Sequence, residues 1–445
     1  MKKMWSVAIT AVLMAGMFMS GCANTSEKES VQGQDSKTIS HSEDGSGQAL
    51  EENEKVVIDF QQFSASSESN LAALQKMIDL YTASNPNVEV KLQTIPFNGY
   101  TDAMMAKVAA GQAPDVYELP IEYFSGFAGK DVLLDLSDMI GEAGIDTSVY
   151  NPAALEAFSM NGKQYGLPNS FSNVMLFYNK DLFDQAGVGY PTIDWTWDDV
   201  LEAARAIRSL DENVFGYYSP IAYKALYRMT AQNGGSLLNE DATAFNMTDP
   251  KVIETVEYMT DMVTEYNVMP TEAQMGGIRD WDLFAAGRLG MLVTGVWAIP
   301  DFAKNCDFNW DVEVEPGNVQ KATSFFSNAY VIDKNSEVAE AALDFINFIT
   351  SDPEVAKIRV EAAWELPPVT TEEVVEAYTS QTPPENRASV FEALDYMVVQ
   401  PSLEQQTLIE DIVAKHLGTI TTGAADVSSA MEACQKELEE KITFE

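Results

Sequence analysis

The chain has 445 residues, 68 of them acidic and 27 basic, giving a formal net charge of −41, and 46% are hydrophobic. Such a balance excludes nucleic acid as the natural partner, because a phosphate backbone demands a basic surface; the acidic excess bears on solubility instead. The apolar content is ample for folding, but the globular part is too long for one ordinary core, so two lobes are expected.

Lys2 and Lys3 precede an apolar stretch from Trp5 to Met19 that ends in Ser20-Gly21-Cys22. The pattern predicts a secretory signal over 1–21 with a lipoprotein cleavage site and an acylated Cys22 at the extracytoplasmic face of the cell membrane. The apolar region is short for a membrane span, although an uncleaved anchor helix is the competing reading. Residues 22–54 are rich in Ser, Gln, Glu, Gly and Asp, a composition that cannot offset its ordering entropy and so predicts a disordered tether, with His41 solvated in it.

Val56–Phe60 reads as a buried strand, and Leu71, Leu74, Met77, Ile78 and Tyr81 then recur at helical spacing. Val88–Ile95 alternates as a second strand, Tyr100–Ala110 returns to helical period before Gly111, and Pro114-Asp115-Val116-Tyr117 opens a third strand. Strands alternating with helices predict an α/β fold with mostly parallel sheets, whose ligands bind beyond the carboxyl ends of the strands. Further on, Trp197–Ser209 follows Thr196 and Asp198 as a capped helix, and Pro250–Tyr266 is a second amphipathic run.

Gly166-Leu167-Pro168, followed by the run Leu176-Phe177-Tyr178-Asn179-Lys180-Asp181-Leu182-Phe183, resembles the "YGLP…LYYNKDLF" signature of the family 1 extracellular solute-binding proteins, the maltodextrin-binding class. Gly111-Gln-Ala-Pro-Asp-Val116, Trp195-Thr-Trp-Asp-Asp-Val200, Gln232-Asn-Gly-Gly235, Phe284–Met291 with Thr294-Gly-Val-Trp297, and Trp364-Glu-Leu-Pro-Pro-Val369 resemble later landmarks in the same order. One departure is Ser324-Phe-Phe-Ser-Asn328, where the family has a glycine-rich turn. The resemblance implies a two-lobed, type II-like periplasmic-binding-protein fold that closes on a carbohydrate and delivers it to an ABC importer. By motif order the first lobe spans 55–169 plus 328–368 and the second 170–327 plus 369–445, with hinges near Asn169, Asn328 and Val369. The expected partners are a carbohydrate, the permease subunits and, through the lipid, the membrane, the protein itself being a monomer.

A sugar presents apolar C–H faces and a rim of hydroxyls, so its site needs flat aromatic surfaces beside planar donors and acceptors. Trp297 aligns with the family's stacking tryptophan just past Gly295; a core tryptophan between sheet and helix is the alternative. Trp364 and Glu365 precede Pro367-Pro368, which fix the backbone, and here a packed loop tryptophan competes with a cleft residue. Asp115, Tyr117 and Glu118 are expected at or after a strand's carboxyl end, a turn-capping role being the alternative for Asp115. Phe63, Ser64, Tyr100, Tyr165, Asn169, Tyr223 and Asn328 complete the candidate lining, with structural packing open for each.

Only two histidines, His41 and His416, are available for a Ser-His-Asp triad or a histidine-based metal site, and no phosphate-cradling glycine loop is present. The chain is therefore read as a binding protein without cofactor or metal, not as an enzyme. Two alternatives stay open. One keeps the fold with a peptide, polyamine or sugar-acid solute, although seven arginines give little to hold an acid; the other is a glycoside hydrolase using two of the many carboxylates. Cys306 and Cys434 are read as buried free thiols.

Overall fold

The structure is a computed structural model describing residues 55–400, 403 and 405–444. The predicted leader, Cys22, His41 and the tether lie outside the described residues. Among the described residues, no helix is long and apolar enough to cross a membrane.

Strands β1 (Val56–Gln62), β2 (Val88–Thr94) and β3 (Val116–Pro120) lie side by side, β1 pairing in parallel with β2 (Val56↔Val88) and with β3 (Phe60↔Val116). The helix Glu68–Ser84 returns the chain from β1 to β2; Ser67 caps its start by accepting from the Asn70 N–H, and Leu74, Met77, Ile78 and Tyr81 are buried as their spacing predicts, whereas Leu71 of the same predicted stripe lies in the first turn and is 40% exposed. A ribbon of β4 (Ser159–Met160) and β5 (Lys163–Gln164) leads into β6 (Gly166–Asn179). The remaining strands are β7 (Phe215–Tyr218), β8 (Leu289–Gly295), β9 (Trp310–Val314), β10 (Thr323–Ile332) and β11 (Met397–Val398).

β6 is the organising element. Its 14 residues are all buried, and at roughly 3.3 Å per residue it runs about 45 Å, longer than one lobe's sheet requires. Gly166–Asn173 pairs antiparallel with β10, whereas Val174–Asn179 pairs antiparallel with β8 and β9. β10 likewise serves both halves: Asn328–Ile332 pairs with β3 and Thr323-Ser324 with β11. At the exchange point the Thr323 hydroxyl donates to the Val174 carbonyl at 2.6 Å, and the ladder of β10 on β6 shifts register between Asn328 and Ala329.

The path β2-β1-β3-β10-β6-β8-β7 is thus one mixed sheet. This corrects the expectation of mostly parallel sheets: β1–β2, β1–β3, β7–β8 and β10–β11 are parallel, but the two strands that carry the chain across run against each other and against β3, β8 and β9. A strand shared by both halves enters one of them in the opposite sense to its βαβ units, so antiparallel pairs are unavoidable there.

Four apolar clusters support the sheet. One lies between β1, β3, β10 and the helices Glu68–Ser84, Ala339–Ser351 and Pro353–Glu361, and includes Trp364. A second joins residues from β3 and β6 to Phe284, Phe302 and Trp310. A third is mainly helical, from Tyr223–Gln232, Pro250–Thr264, Gln406–Thr421 and Val427–Lys441 with Leu237, Leu238, Phe245 and Met247 of the intervening loop, and the fourth packs Trp197–Arg208 on β6–β8. The capping box of Trp197–Arg208 uses Thr196 with Asp199 rather than Asp198. Cys306 and Cys434 are both free thiols; Cys434 is buried but Cys306 only partly so.

Candidate functional site

The carboxyl ends of β1, β3, β7 and β8 carry Phe63-Ser64, Ile121-Glu122, Ser219 and Val296-Trp297 respectively, and the crossing stretch of β10 supplies Phe326 and Asn328. Trp297 is half-buried, one residue beyond Val296, in the short turn after β8. Its ring lies over Gly295, where an added Cβ would stand 2.1 Å from the indole. It meets Phe326 edge-on, with ring centroids 5.5 Å apart. The Lys224 ammonium, from the first turn of Tyr223–Gln232, lies 5.6 Å from the Phe326 centroid and 2.5 Å from Glu122 Oε1. This group combines apolar ring surface with charged hydrogen-bonding capacity, the two things a sugar demands.

A polar group stands at the base of the crossing strands. Asn328 Nδ2 reaches Ser170 Oγ at 3.2 Å and Glu365 Oε2 at 3.5 Å. Burial pushes the Glu365 carboxyl above the usual carboxylate range, against hydrogen bonds from Ser170 and Asn328 that pull it down. Glu118 is fully buried; its Oε2 accepts from the Phe63 and Ser64 N–H groups, each at 3.0 Å, and its Oε1 from Asn169 Nδ2 at 2.7 Å. Those three donors tie the turn after β1 to β3 and β6. Ser64 is itself half-buried, and its hydroxyl has no partner among the described residues.

Several candidates are structural. Asp115 precedes β3 instead of following it; its carboxylate accepts from the Asp59 N–H at 3.0 Å and from the Ser336 hydroxyl at 2.7 Å, a capping role at the amino end of the strand. Tyr117 and Tyr100 are both 0% exposed, Tyr117 against Phe127 and Tyr100 donating to the Glu118 carbonyl at 2.8 Å. Desolvation raises both phenols well above their ordinary value, so neither ionises. Tyr165 packs against Phe124 inside the core. Trp364 is 3% exposed with the buried Arg359 guanidinium 4.1 Å from its ring centroid, which makes it the packed tryptophan of the two readings. Tyr223 is 1% exposed within the helical cluster, its hydroxyl without a partner among the described residues.

The structure brings Trp297, Asn328, Glu365, Asn169, Glu118, Phe63 and Ser64 to the strand ends and crossing strands. Phe63 packs at a tilt against Phe97, which is 50% exposed, and against Tyr100. Glu122, Lys224 and Phe326 were not singled out by sequence. Phe326 had a signal, since it lies in the stretch departing from the family pattern; Lys224 adjoins the chosen Tyr223 but projects about 100° around the helix from it. His416 bonds Glu437 at 2.7 Å between the two C-terminal helices, away from these strand ends in the fold. Among the described residues no three His, Cys, Asp or Glu side chains are grouped as a metal would require.

Comparison with known proteins accords with this arrangement. A solved ABC substrate-binding protein from Listeria monocytogenes, in complex with cycloalternan, is 40% identical with a TM-score of 0.83, over 87% of this chain and 98% of that one. The arabinooligosaccharide-binding protein of Halalkalibacterium halodurans is 22% identical over 275 residues, which span 59% of this chain and 61% of that protein's length. The galactooligosaccharide-binding protein of Bacillus subtilis is 22% identical over 366 residues, 78% of this chain and 81% of its own. Structures of this kind are two-lobed sugar-binding proteins, so the exchange of β6 and β10 between two half-sheets is the crossing of such a fold. Residues 64–356 match the model of the bacterial extracellular solute-binding proteins, and the chain belongs to that family.

Proposed function

We propose that this protein captures an oligosaccharide between its two lobes and presents it, closed, to an ABC importer at the outer face of the membrane. The observation that carries the reading is the Trp297–Phe326 aromatic corner at the carboxyl end of β8, where the crossing strands meet. A sugar's C–H face would lie on the Trp297 ring, and its hydroxyls would bond to Asn328, Glu365 and Ser64, with the fully buried Asn169 holding Glu118 beneath them. Glu118, Tyr100, Tyr117, Tyr165, Trp364 and Tyr223 act within the core as structural support, and Asp115 fastens the amino end of β3. In this reading the lobes are 55–169 plus 328–368 and 170–327 plus 369–445, turning about β6, β10 and the segment near Val369. The relatives' own ligands, an arabinooligosaccharide, a galactooligosaccharide and cycloalternan, support an oligosaccharide over a peptide or polyamine.

The protein is further read as a monomer without catalytic activity, held by a lipid on Cys22 after removal of 1–21. A thermal-shift screen against mono- and oligosaccharides, cycloalternan included, tests the ligand class, because a solute bound only by the native state raises the melting temperature with the logarithm of its excess over Kd. No shift with any sugar, or a shift with a peptide alone, refutes it; chromatography of the bound sugar after hours should return it intact. For the anchor, Cys22→Ala should abolish incorporation of labelled fatty acid, and undiminished labelling refutes the assignment.

A further inference from the structure

We propose that Glu122 and Lys224 form a latch between the two halves of the fold, made when they close and broken when they open, which sets how long a captured solute is retained. The proposal rests on the preceding reading for the solute and for the closing of the two lobes.

Glu122 lies in the first turn of the helix Ile121–Ala128, which follows directly from the carboxyl end of β3. β3 is paired to β1 and β10. Lys224 lies in the first turn of Tyr223–Gln232, after β7, a strand paired to β8 at the other end of the sheet order. The two residues are 102 positions apart, yet Nζ and Oε1 are 2.5 Å apart. Covalent structure therefore does not hold them together; the approach of one half to the other does.

The pair is not an ordinary surface salt bridge. The Glu122 side chain is 7% exposed and that of Lys224 29%, so both are largely desolvated and the pair couples more strongly than an exposed one. Phe326 lies against the ammonium and carries the edge of Trp297 on its ring, so the cation is packed between the carboxylate of one half and the candidate ligand surface of the other. Burial opposes the charge on Lys224, but Glu122 and, from the helix Gln406–Thr421, Glu410 outweigh it and keep the amine protonated; Tyr123 faces the same group. Separating the halves lets Glu122 and Lys224 hydrate independently. The pair thus enters the closing equilibrium rather than the folding of either half, and solute escape, which requires opening, is slowed by it.

The arrangement also predicts an asymmetry. Glu410 still attracts Lys224 when Glu122 is removed, whereas removing Lys224 abolishes both attractions. Lys224→Met should therefore act more strongly than Glu122→Gln, and the double variant should be no worse than Lys224→Met alone.

The test uses the full chain with Lys224→Met, Glu122→Gln, their double variant and Lys224→Arg. Without any sugar, small-angle scattering and amide exchange over 121–128 and 223–232 should show a larger radius of gyration and faster exchange in both single variants. Lys224→Arg should stay near wild type, and high salt should move wild type toward the variants. With cycloalternan as probe, the dissociation rate followed by tryptophan fluorescence should rise about tenfold in Lys224→Met, the scale of losing one partner of a largely buried pair. If wild type does not bind cycloalternan, the sugar-free measurements alone decide the latch. An unchanged radius and unchanged exchange in every variant, or single effects that simply add in the double variant, overturn it.

Discussion

Replacing Trp364 by alanine separates a packing residue from a ligand platform by a wide margin. The side chain is 3% exposed in the cluster beneath β1 and β10, and the Arg359 guanidinium, itself 1% exposed, lies 4.1 Å from its ring centroid. Truncating a buried tryptophan removes apolar contact and leaves a cavity, about 3–5 kcal/mol. Loss of the cation–π contact adds about 1 kcal/mol. Arg359 Nε and Nη2 lack hydrogen-bond partners among the described residues, so beside the attraction of Glu365 the Trp364 ring is the contact that covers the buried charge. The expected total is about 4–6 kcal/mol, a large share of the roughly 5–15 kcal/mol that holds a native protein. Urea unfolding followed by far-UV circular dichroism should show a much lower midpoint at unchanged slope, since the surface exposed on unfolding barely alters. Trp364→Phe should fall between the two. A loss below about 1 kcal/mol, with sugar affinity abolished in the folded protein, would refute the packing argument and return Trp364 to the cleft.

Trp297→Ala should behave oppositely, lowering oligosaccharide affinity by about 1–3 kcal/mol in titration calorimetry with a much smaller change in melting temperature, because a half-exposed platform leaves little cavity behind. Gly295→Ala should mimic it: the new methyl would stand 2.1 Å from the Trp297 ring, so the indole must leave its position, and a variant that binds normally would show that position to be unimportant. Glu437 is drawn down to about 2 from 4.5 by Lys415, Lys441 and His416. A depressed carboxyl stabilises the fold above its unfolded pKa and loses that contribution as pH falls through the folded one. Glu437→Gln should therefore be less stable than wild type above about pH 4.5, the gap closing toward pH 2; a gap that persists there contradicts the ion-pair explanation.

Local order was readable from the sequence because its causes are local. The apolar stripe of Leu74, Met77, Ile78 and Tyr81, the Thr196 cap and the strand from Val56 are each specified within one element by periodicity, capping chemistry and side-chain shape. The ordered motifs from Gly111 to Val369 likewise carried the family and with it the two-lobed fold. The place of Trp297 just past the end of β8 was likewise legible. What only the tertiary structure decided is which residues from distant elements share a space. Asp115 is at the amino end of β3 because the strand starts at Val116, with its carboxylate taken up by the Asp59 N–H and the Ser336 hydroxyl, and Trp364 is in the core, where Arg359 covers its ring. The antiparallel crossing of β6 and β10 and the pairing of Glu122 with Lys224 depend on contacts between segments far apart in the chain, and no spacing within a single segment encodes which distant partner a strand or a charge will meet.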